Sequence, residues 1–509
     1  MLQKPLFNWL NDRSVGCLAH VSALPSRHGI GNLGNSTKAF LDLLSDCGMS
    51  SWQICPIGPT GYGDSPYSSF SAFAGNPYFI DWQDFVSIGL VQLSEIEPLA
   101  RLPANRTRYA DIHQIVTPLA QKVGRRWLDN PKEIDTSYSF QKFCADSAYW
   151  LEDYARFRVL KSAFNDANWT EWPTIYRNSK SARGRKLPPQ ASQDQLEIEK
   201  FIQYLFYLQW RNIQDYARGR GIKIIGDLPI FVAQDSADVW AHPKLFSLKK
   251  DGSPKVVAGV PPDFFSEDGQ HWGNPLYDWK NHKSEGYRWW IERMRTSFKC
   301  FDRIRLDHFR GFEAYWEIPG DAENARNGKW VKGPGIDLFK AIHEAVPEAR
   351  IIAEDLGVIT KEVIELRDQS GFPGMAILQF AFGGSSDNVH LPHNLVPNQV
   401  VYPGSHDNDT TLGWYRTAPD HTKDHFRRYL RVNGKEAGWD LIRTAYAAPS
   451  KLAIIPLQDL LSLGGSARFN TPGAALGNWQ WRATTQQLQT LHKQSQKYLR
   501  DLAKLYDRA

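Results

Sequence analysis

Four acidic side chains in this sequence each follow a short apolar run: Asp227 in IKIIGDLPIFV, Asp307 in FDRIRLDHF, Glu354 in ARIIAEDLG and Asp407 in VVYPGSHDND. Runs of that kind read as buried parallel strands. Carboxylates at the C-terminal ends of strands in one (β/α)8 barrel converge on a single open face, where such barrels do their chemistry. Several carboxylates meeting in one pocket point to work on a glycosidic bond.

Arg305 and Asp307 lie two apart on one strand, so both side chains face the same way. A guanidinium beside a carboxylate favours the ionised acid, which is the form a nucleophile needs. The same pair also reads as a structural link inside a barrel. Glu354 is followed by Asp355, and adjacent residues of a strand point to opposite faces. One of them should enter the barrel mouth, and the other is free to cap the following helix. A glycosidase acid requires a raised pKa, obtained from apolar surroundings or a neighbouring carboxylate. Neighbouring strands would bring Glu354 and Asp307 to about 5 Å, the spacing of a retaining pair. Ser405-His406-Asp407-Asn408-Asp409 offers two acids and an imidazole. Calcium binding is the bland alternative there, but a calcium loop counted from Asp407 would need Gly at its sixth position and Glu at its twelfth. Leu412 and Ala418 stand in those places. Asp227 reads equally well as a site residue or as a cap of the next loop.

Eight strand candidates would hold these groups: VGCLAHV from Val15, SWQICPI from Ser51, IKIIGDL from Ile222, DRIRLDH from Asp302, RIIAEDL from Arg350, MAILQFAF from Met375, QVVYPGS from Gln399 and LAIIPLQD from Leu452. Helix-like segments precede most of them, as STKAFLDLLSDCG precedes the second. Such alternation predicts an α/β fold, and eight units favour a closed (β/α)8 TIM barrel over an open sheet. The chain is expected to be one catalytic barrel over 1–509, with a helical insertion at 61–215 and an active-site lid at 233–285. No C-terminal β-sandwich is expected. Two loops read as substrate contacts. GPTGYGDSPYSSFSAFAGNPYFID supplies Tyr62, Ser65 and Tyr67 on a Gly- and Ser-rich backbone. VAGVPPDFFSEDGQHWGNPLYDW supplies Asp263, Phe265, Gln270 and Trp272, and its Gly/Pro punctuation is that of a lid.

Composition excludes several other classes. The chain has 509 residues, 42% hydrophobic and 23% charged, with a net charge of +5, which is ordinary for a large globular enzyme. The basic cluster Arg183, Arg185, Lys186 lies beside Pro188 and Pro189 and reads as a solvated loop, so no nucleic-acid partner is expected. No apolar run is long enough for a membrane span, and the start lacks the pattern of a secretory signal. Five scattered cysteines without a CxxC indicate neither zinc nor redox chemistry and fit a reducing, cytoplasmic compartment. The 19 Trp and 20 Tyr offer flat faces on which sugar rings stack, although a large core would use them too.

The motifs carry a resemblance. GPTGYGDSPYSSFSAFAGNPY, GDLPIFVAQDSADVW, VAGVPPDFFSEDGQHWGNPLY, RLDHFRGF, AEDLG, SHDNDT and RFNTPGAALGNWQWR run in order from about residue 15 to about residue 482. Together they resemble the 4-α-glucanotransferases of glycoside hydrolase family 77, the amylomaltases or disproportionating enzymes. RLDHFRGF and AEDLG alone would indicate only the wider α-amylase clan. The resemblance implies Asp307 as nucleophile, Glu354 as acid/base and Asp407 as the group gripping ring hydroxyls. It implies that Arg305 orients Asp307 and that Asp227, His308 and His406 line the donor subsite. Tyr67, Asp263 and Trp272 would hold the glucan chain, with Tyr62 in a more remote groove. It further implies α-1,4-glucans and maltooligosaccharides as partners, no cofactor and no metal. A monomer or weak homo-oligomer is expected.

An α-amylase-type hydrolase with the same three acids is the nearest rival reading. A metal-dependent barrel hydrolase would want clustered His ligands at a strand end, where the first strand offers only His20. A non-catalytic glucan-binding protein would not need the acids.

Overall fold

Residues 4–183, 185–262, 266–474 and 476–509 are described by the computed structural model, the side chain of Tyr62 excepted. Twelve strands run through them. They are β1 (Ser14–Leu18), β2 (Ser51–Gln53), β3 (Lys223–Leu228), β4 (Val256–Val260), β5 (Gln270–Pro275) and β6 (Arg303–Leu306). β7 (Ala314–Pro319), β8 (Lys329–Lys332), β9 (Ile351–Ala353), β10 (Gly374–Ile377), β11 (Gln399–Tyr402) and β12 (Leu452–Pro456) complete the set.

Eight of these pair in parallel in the order β10-β11-β12-β1-β2-β3-β6-β9, and they are the eight apolar runs read from the sequence. The physical cause is burial on both sides. Leu18, Ile225, Ile352, Met375, Val400 and Ile454 fill the barrel interior. Val15, Ile224, Ile304, Ile351, Val401 and Ile455 belong to the core between the strands and their helices. Burying each such side chain contributes roughly 1.5–3 kcal/mol, so runs apolar at every position are the ones that persist as barrel strands.

The ladder has one seam. β9 and β10 are not paired as strands, and a backbone bond from the Ala353 N–H to the Pro373 carbonyl, 2.9 Å, crosses the gap. A side chain completes the closure: Asp355 Oδ1 accepts the Met375 N–H at 2.7 Å. A Cβ at Gly374 would overlap the Asp355 carboxylate, so this position has room only for glycine. Asp355 Oδ2 also accepts from Arg367 on the following helix, 2.7 Å, while Thr360 is the residue at that helix's N-terminus. Asp355 therefore ties strand to helix to strand, and does not cap.

The segment between β2 and β3 is helical, with helices Leu93–Ala100, Tyr109–Asp129, Phe140–Asp146, Leu151–Ala163 and Gln193–Gly219. The last begins with a reciprocal cap between Ser192 and Gln195, and Trp127 stacks on Phe201 across the helix pair at 4.1 Å. β4, β5, β7 and β8 form a separate antiparallel sheet in the order β5-β4-β7-β8. This sheet was not anticipated. Its strands straddle β6 in the chain, and β5 is polar and only partly buried while β8 is largely exposed, so neither carries the apolar signal of a buried strand. No helix among the described residues is long and apolar enough to cross a membrane.

Candidate active site

Three neighbouring barrel strands set the acidic centre. β3 pairs with β6 so that Asp227 lies opposite Arg305, and β6 pairs with β9 so that Leu306 lies opposite Ala353. The residue after each strand end is then fixed by main-chain bonds. The Asp307 N–H reaches the Leu228 carbonyl at 3.0 Å, and the Glu354 N–H reaches the Leu306 carbonyl at 3.1 Å. Asp307 and Glu354 thus leave adjacent strands at one level, facing a cleft of about 2410 Å³.

Arg305 organises the charges. Its Nη1 donates to both oxygens of Asp227, at 2.8 and 2.9 Å, and to Asp307 Oδ1 at 2.9 Å. The guanidinium is 4% exposed and Asp307 27%, so the arginine lies below and the nucleophile candidate faces the cleft. Burial raises the Asp227 carboxyl, with Arg305 pulling the other way. Asp227 is almost fully enclosed, under Tyr67, whose hydroxyl donates to its Oδ2 at 2.8 Å. Asp227 therefore supports Arg305 and Tyr67 from below and is not itself on the cleft wall.

Glu354 stands in drier surroundings than Asp307, without a hydrogen bond from Arg305. Its surroundings desolvate it and push its carboxyl up to about 8; Arg305 opposes this shift and Asp307 adds to it. Its two oxygens accept main-chain N–H groups of His308, 2.7 Å, and Leu356, 3.0 Å. The His308 bond depends on a left-handed backbone at that residue, φ 47°, ψ 50°, a conformation that costs a non-glycine residue on the order of 1 kcal/mol or more. Burial pushes the His308 imidazole down to about 4, leaving it neutral at pH 7.

Asp407 arrives differently, on the loop after β11. His406 stacks on Tyr67, with ring centroids 5.3 Å apart, and its Nε2 lies 2.9 Å from the Tyr67 hydroxyl and 3.3 Å from Asp407 Oδ2. The Tyr67 hydroxyl has one proton, directed to Asp227. The imidazole Nε2 must then carry a hydrogen toward the tyrosine oxygen and Asp407. Asp407 Oδ1 accepts from Asn470 Nδ2 at 2.6 Å. A hydrogen-bonded chain from Arg305 through Asp227, Tyr67 and His406 thereby joins the supports of Asp307 and Asp407.

β5 brings Gln270 and Trp272 to the cleft, with the indole N–H bonded to Gln270 Oε1 at 3.1 Å and its ring edge-on to His308 at 4.9 Å. Ser65 lines the cleft and accepts the Tyr67 N–H, 3.2 Å. Asp263, Phe265 and the Tyr62 side chain lie outside the described residues. Sequence reasoning picked out the segment RFNTPGAALGNWQWR but no residue within it. The structure brings Arg468, Asn470 and Trp479 from it to the acidic centre. The available signal was their crowding of polar and aromatic types between glycines after the eighth strand. Among the described residues no group of three or more His, Cys, Asp and Glu is placed to hold a metal.

A parallel barrel that presents one solvent-facing carboxyl on an arginine, beside a desolvated acid on the next strand, has the two-carboxyl arrangement of a glycosidic-bond enzyme. The comparisons make this specific. A family model described as 4-alpha-glucanotransferase matches residues 19–488. The 4-alpha-glucanotransferase of Streptococcus pneumoniae serotype 4 is 44% identical over 98% of this chain and 98% of its own. That of Thermus thermophilus is 46% identical over 94% of this chain and 96% of its own. The structure of amylomaltase from Streptococcus agalactiae in complex with acarbose superposes with a TM-score of 0.91 at 35% identity, over 98% of this chain and 100% of that one. The chain belongs to this family, the 4-α-glucanotransferases of glycoside hydrolase family 77.

Proposed function

We propose that this 4-α-glucanotransferase works by double displacement, with Asp307 as nucleophile and Glu354 as acid/base. The observation that carries the reading is the different surroundings of two acids on adjacent strand ends: Asp307 hydrogen-bonded to Arg305 and open to the cleft, Glu354 desolvated and pushed up to about 8. The Asp307 carboxylate attacks the anomeric carbon of a bound α-1,4-glucan. The glycosidic bond breaks, and the Glu354 proton goes to the departing 4-oxygen. The 4-hydroxyl of a second glucan then attacks the same carbon, gives its proton to Glu354, and displaces Asp307. Two inversions give net retention. Asp407 hydrogen-bonds ring hydroxyls as charge develops at the anomeric carbon, and the neutral His308 lines the donor subsite together with His406 and Tyr67.

Transfer instead of hydrolysis requires the sugar acceptor to outcompete water. Gln270 and Trp272 on β5 belong to the covering element that would bind the chain and exclude water, and the same reading assigns Asp263 and Phe265 as substrate contacts. In this reading one catalytic barrel spans 1–509, 61–215 is its helical insertion and 233–285 its lid. The enzyme acts as a monomer or weak homo-oligomer in the cytoplasm, without nucleic-acid or membrane partners. Free thiols at Cys17, Cys47, Cys55, Cys144 and Cys300 suit that compartment. Incubation with maltotriose, followed by chromatography over time, tests the reading. A ladder of longer maltooligosaccharides with free glucose supports it, whereas glucose and maltose alone would mean hydrolysis.

A further inference from the structure

We infer that Asn470 is a positioning residue for Asp407, and that the C-terminal segment carrying it, and not strand β11, sets the orientation of that carboxylate. The inference rests on the role proposed above for Asp407.

β11 ends at Tyr402, and Asp407 lies five positions further on in a loop. Few groups of the loop itself hold its carboxylate. One oxygen has His406 at 3.3 Å, and the other has the Asn470 amide at 2.6 Å. The main chain is secured from the same side. Arg468 donates through Nη2 to the Asp407 carbonyl, 2.7 Å, and through Nε to the Asn470 carbonyl, 2.8 Å. One guanidinium therefore clamps the two backbones that the amide–carboxylate bond joins. The clamp has firm footing, because Trp479 bonds back to the Phe469 carbonyl at 2.7 Å and Gln480 accepts the Thr107 N–H at 2.7 Å. Beyond Asn470 the segment continues into the cleft wall at Thr471, Pro472 and Asn478, and the Asn478 side chain bonds to Thr471 at both its N–H and its carbonyl. The wall that a glucan touches and the amide that aims Asp407 are thus parts of one short loop. The amide can donate only one way round, since its oxygen turned to the carboxylate would set two acceptors against each other.

Two variants test the assignment, each with a measurement that loss of fold alone would not reproduce. Asn470→Ala removes the donor. Maltotriose disproportionation should lose kcat by about 10-fold or more with KM changed less than about threefold, as expected where a contact matters mainly in the transition state. Asn470→Asp sets a second carboxyl against Asp407, and two acids at that distance cannot both ionise. The other ionisable groups around Asp407 are His406 and Asp409 on its loop, Cys55 at the end of β2 and Arg468 in the segment; all stay in place. The acid limb of the kcat–pH profile should therefore move up by about one pH unit or more. Melting temperatures within about 2 °C of the parent confirm the fold. Asp407→Asn is the reference for the underlying reading. If that variant stays active, the role of Asp407 falls. If it is inactive while Asn470→Ala keeps kcat within twofold, or Asn470→Asp keeps the parent pH profile, the positioning role of Asn470 falls alone.

Discussion

The two sides of the cleft floor are built on different principles. Asp307 and Glu354 stand at the ends of laddered barrel strands, each fixed by the main-chain carbonyl of the strand beside it. Asp407 stands on a loop and depends on side chains from a segment that follows the last barrel strand. Groups that exchange a covalent bond and a proton need fixed separation, and adjacent parallel strands supply it through register. A group that follows the sugar ring as it flattens gains from a mounting that belongs to the substrate-covering wall. The side that transfers atoms takes its rigidity from strand register, and the side that grips the ring takes its orientation from side-chain bonds to a separate segment.

The sharpest way to break this comparison is at its rigid side. Asp307→Asn should lower kcat/KM for maltotriose by about 10⁴-fold or more while leaving glucan affinity, read by calorimetry, nearly unchanged. Full activity in that variant would remove the basis for placing the bond-forming role on β6.

Glu354→Gln should cost about 10²–10⁴-fold, and pH separates its role from that of Asp307. The parent acid is protonated below about 8, so kcat/KM should fall as pH rises through that value. Stability should run the same way. A carboxyl raised from 4.5 to about 8 on folding makes its full contribution to stability below 4.5 and loses it as pH climbs through that interval. The glutamine variant lacks this decline, so its melting temperature should gain on the parent by about 2 °C or more between pH 5 and pH 8. A constant difference would show that Glu354 is not held in its protonated form.

Away from the three acids the effects should be smaller. Trp272→Ala removes a stacking face and should raise KM for maltotriose by roughly 2- to 10-fold, with a larger share of glucose released by water. An unchanged product ratio would take Trp272 out of the covering element. Smallest in activity is Asp355→Asn. It should leave kcat within twofold yet destabilise by about 1–3 kcal/mol, because the seam bond and the Arg367 bond lose their charge. Denaturant melts and initial rates would separate the two adjacent acids cleanly.

The rigid side was also the legible one. IKIIGDL, DRIRLDH and RIIAEDL are apolar enough to announce buried strands, and the barrel rule then places their acids. Opposite facing of Glu354 and Asp355 followed from strand geometry, but the use made of Asp355 did not, because closure between β9 and β10 is a property of the whole ring. The side sheet escaped notice for a local reason. QHWGNP and KWVK are polar and lie at the sheet's two edges, and the halves of the sheet join across β6 only through the pairing of β4 with β7. Asn470 escaped for a similar reason: an asparagine in a Gly- and Pro-rich stretch reads as a turn former until a carboxylate 63 positions away is seen beside it.

The seam carries one last implication. A ring of eight strands joined by seven ladders and one stitched gap opens first at the gap, so the amides of Ala353 and Met375 should exchange with deuterium before those of β1, β2 or β3. Glu354 follows directly on the strand that borders this gap, whereas Asp307 is one strand farther in. The residue that moves a proton thus follows a stave laddered on one side only, and the residue that holds the sugar a stave laddered on both.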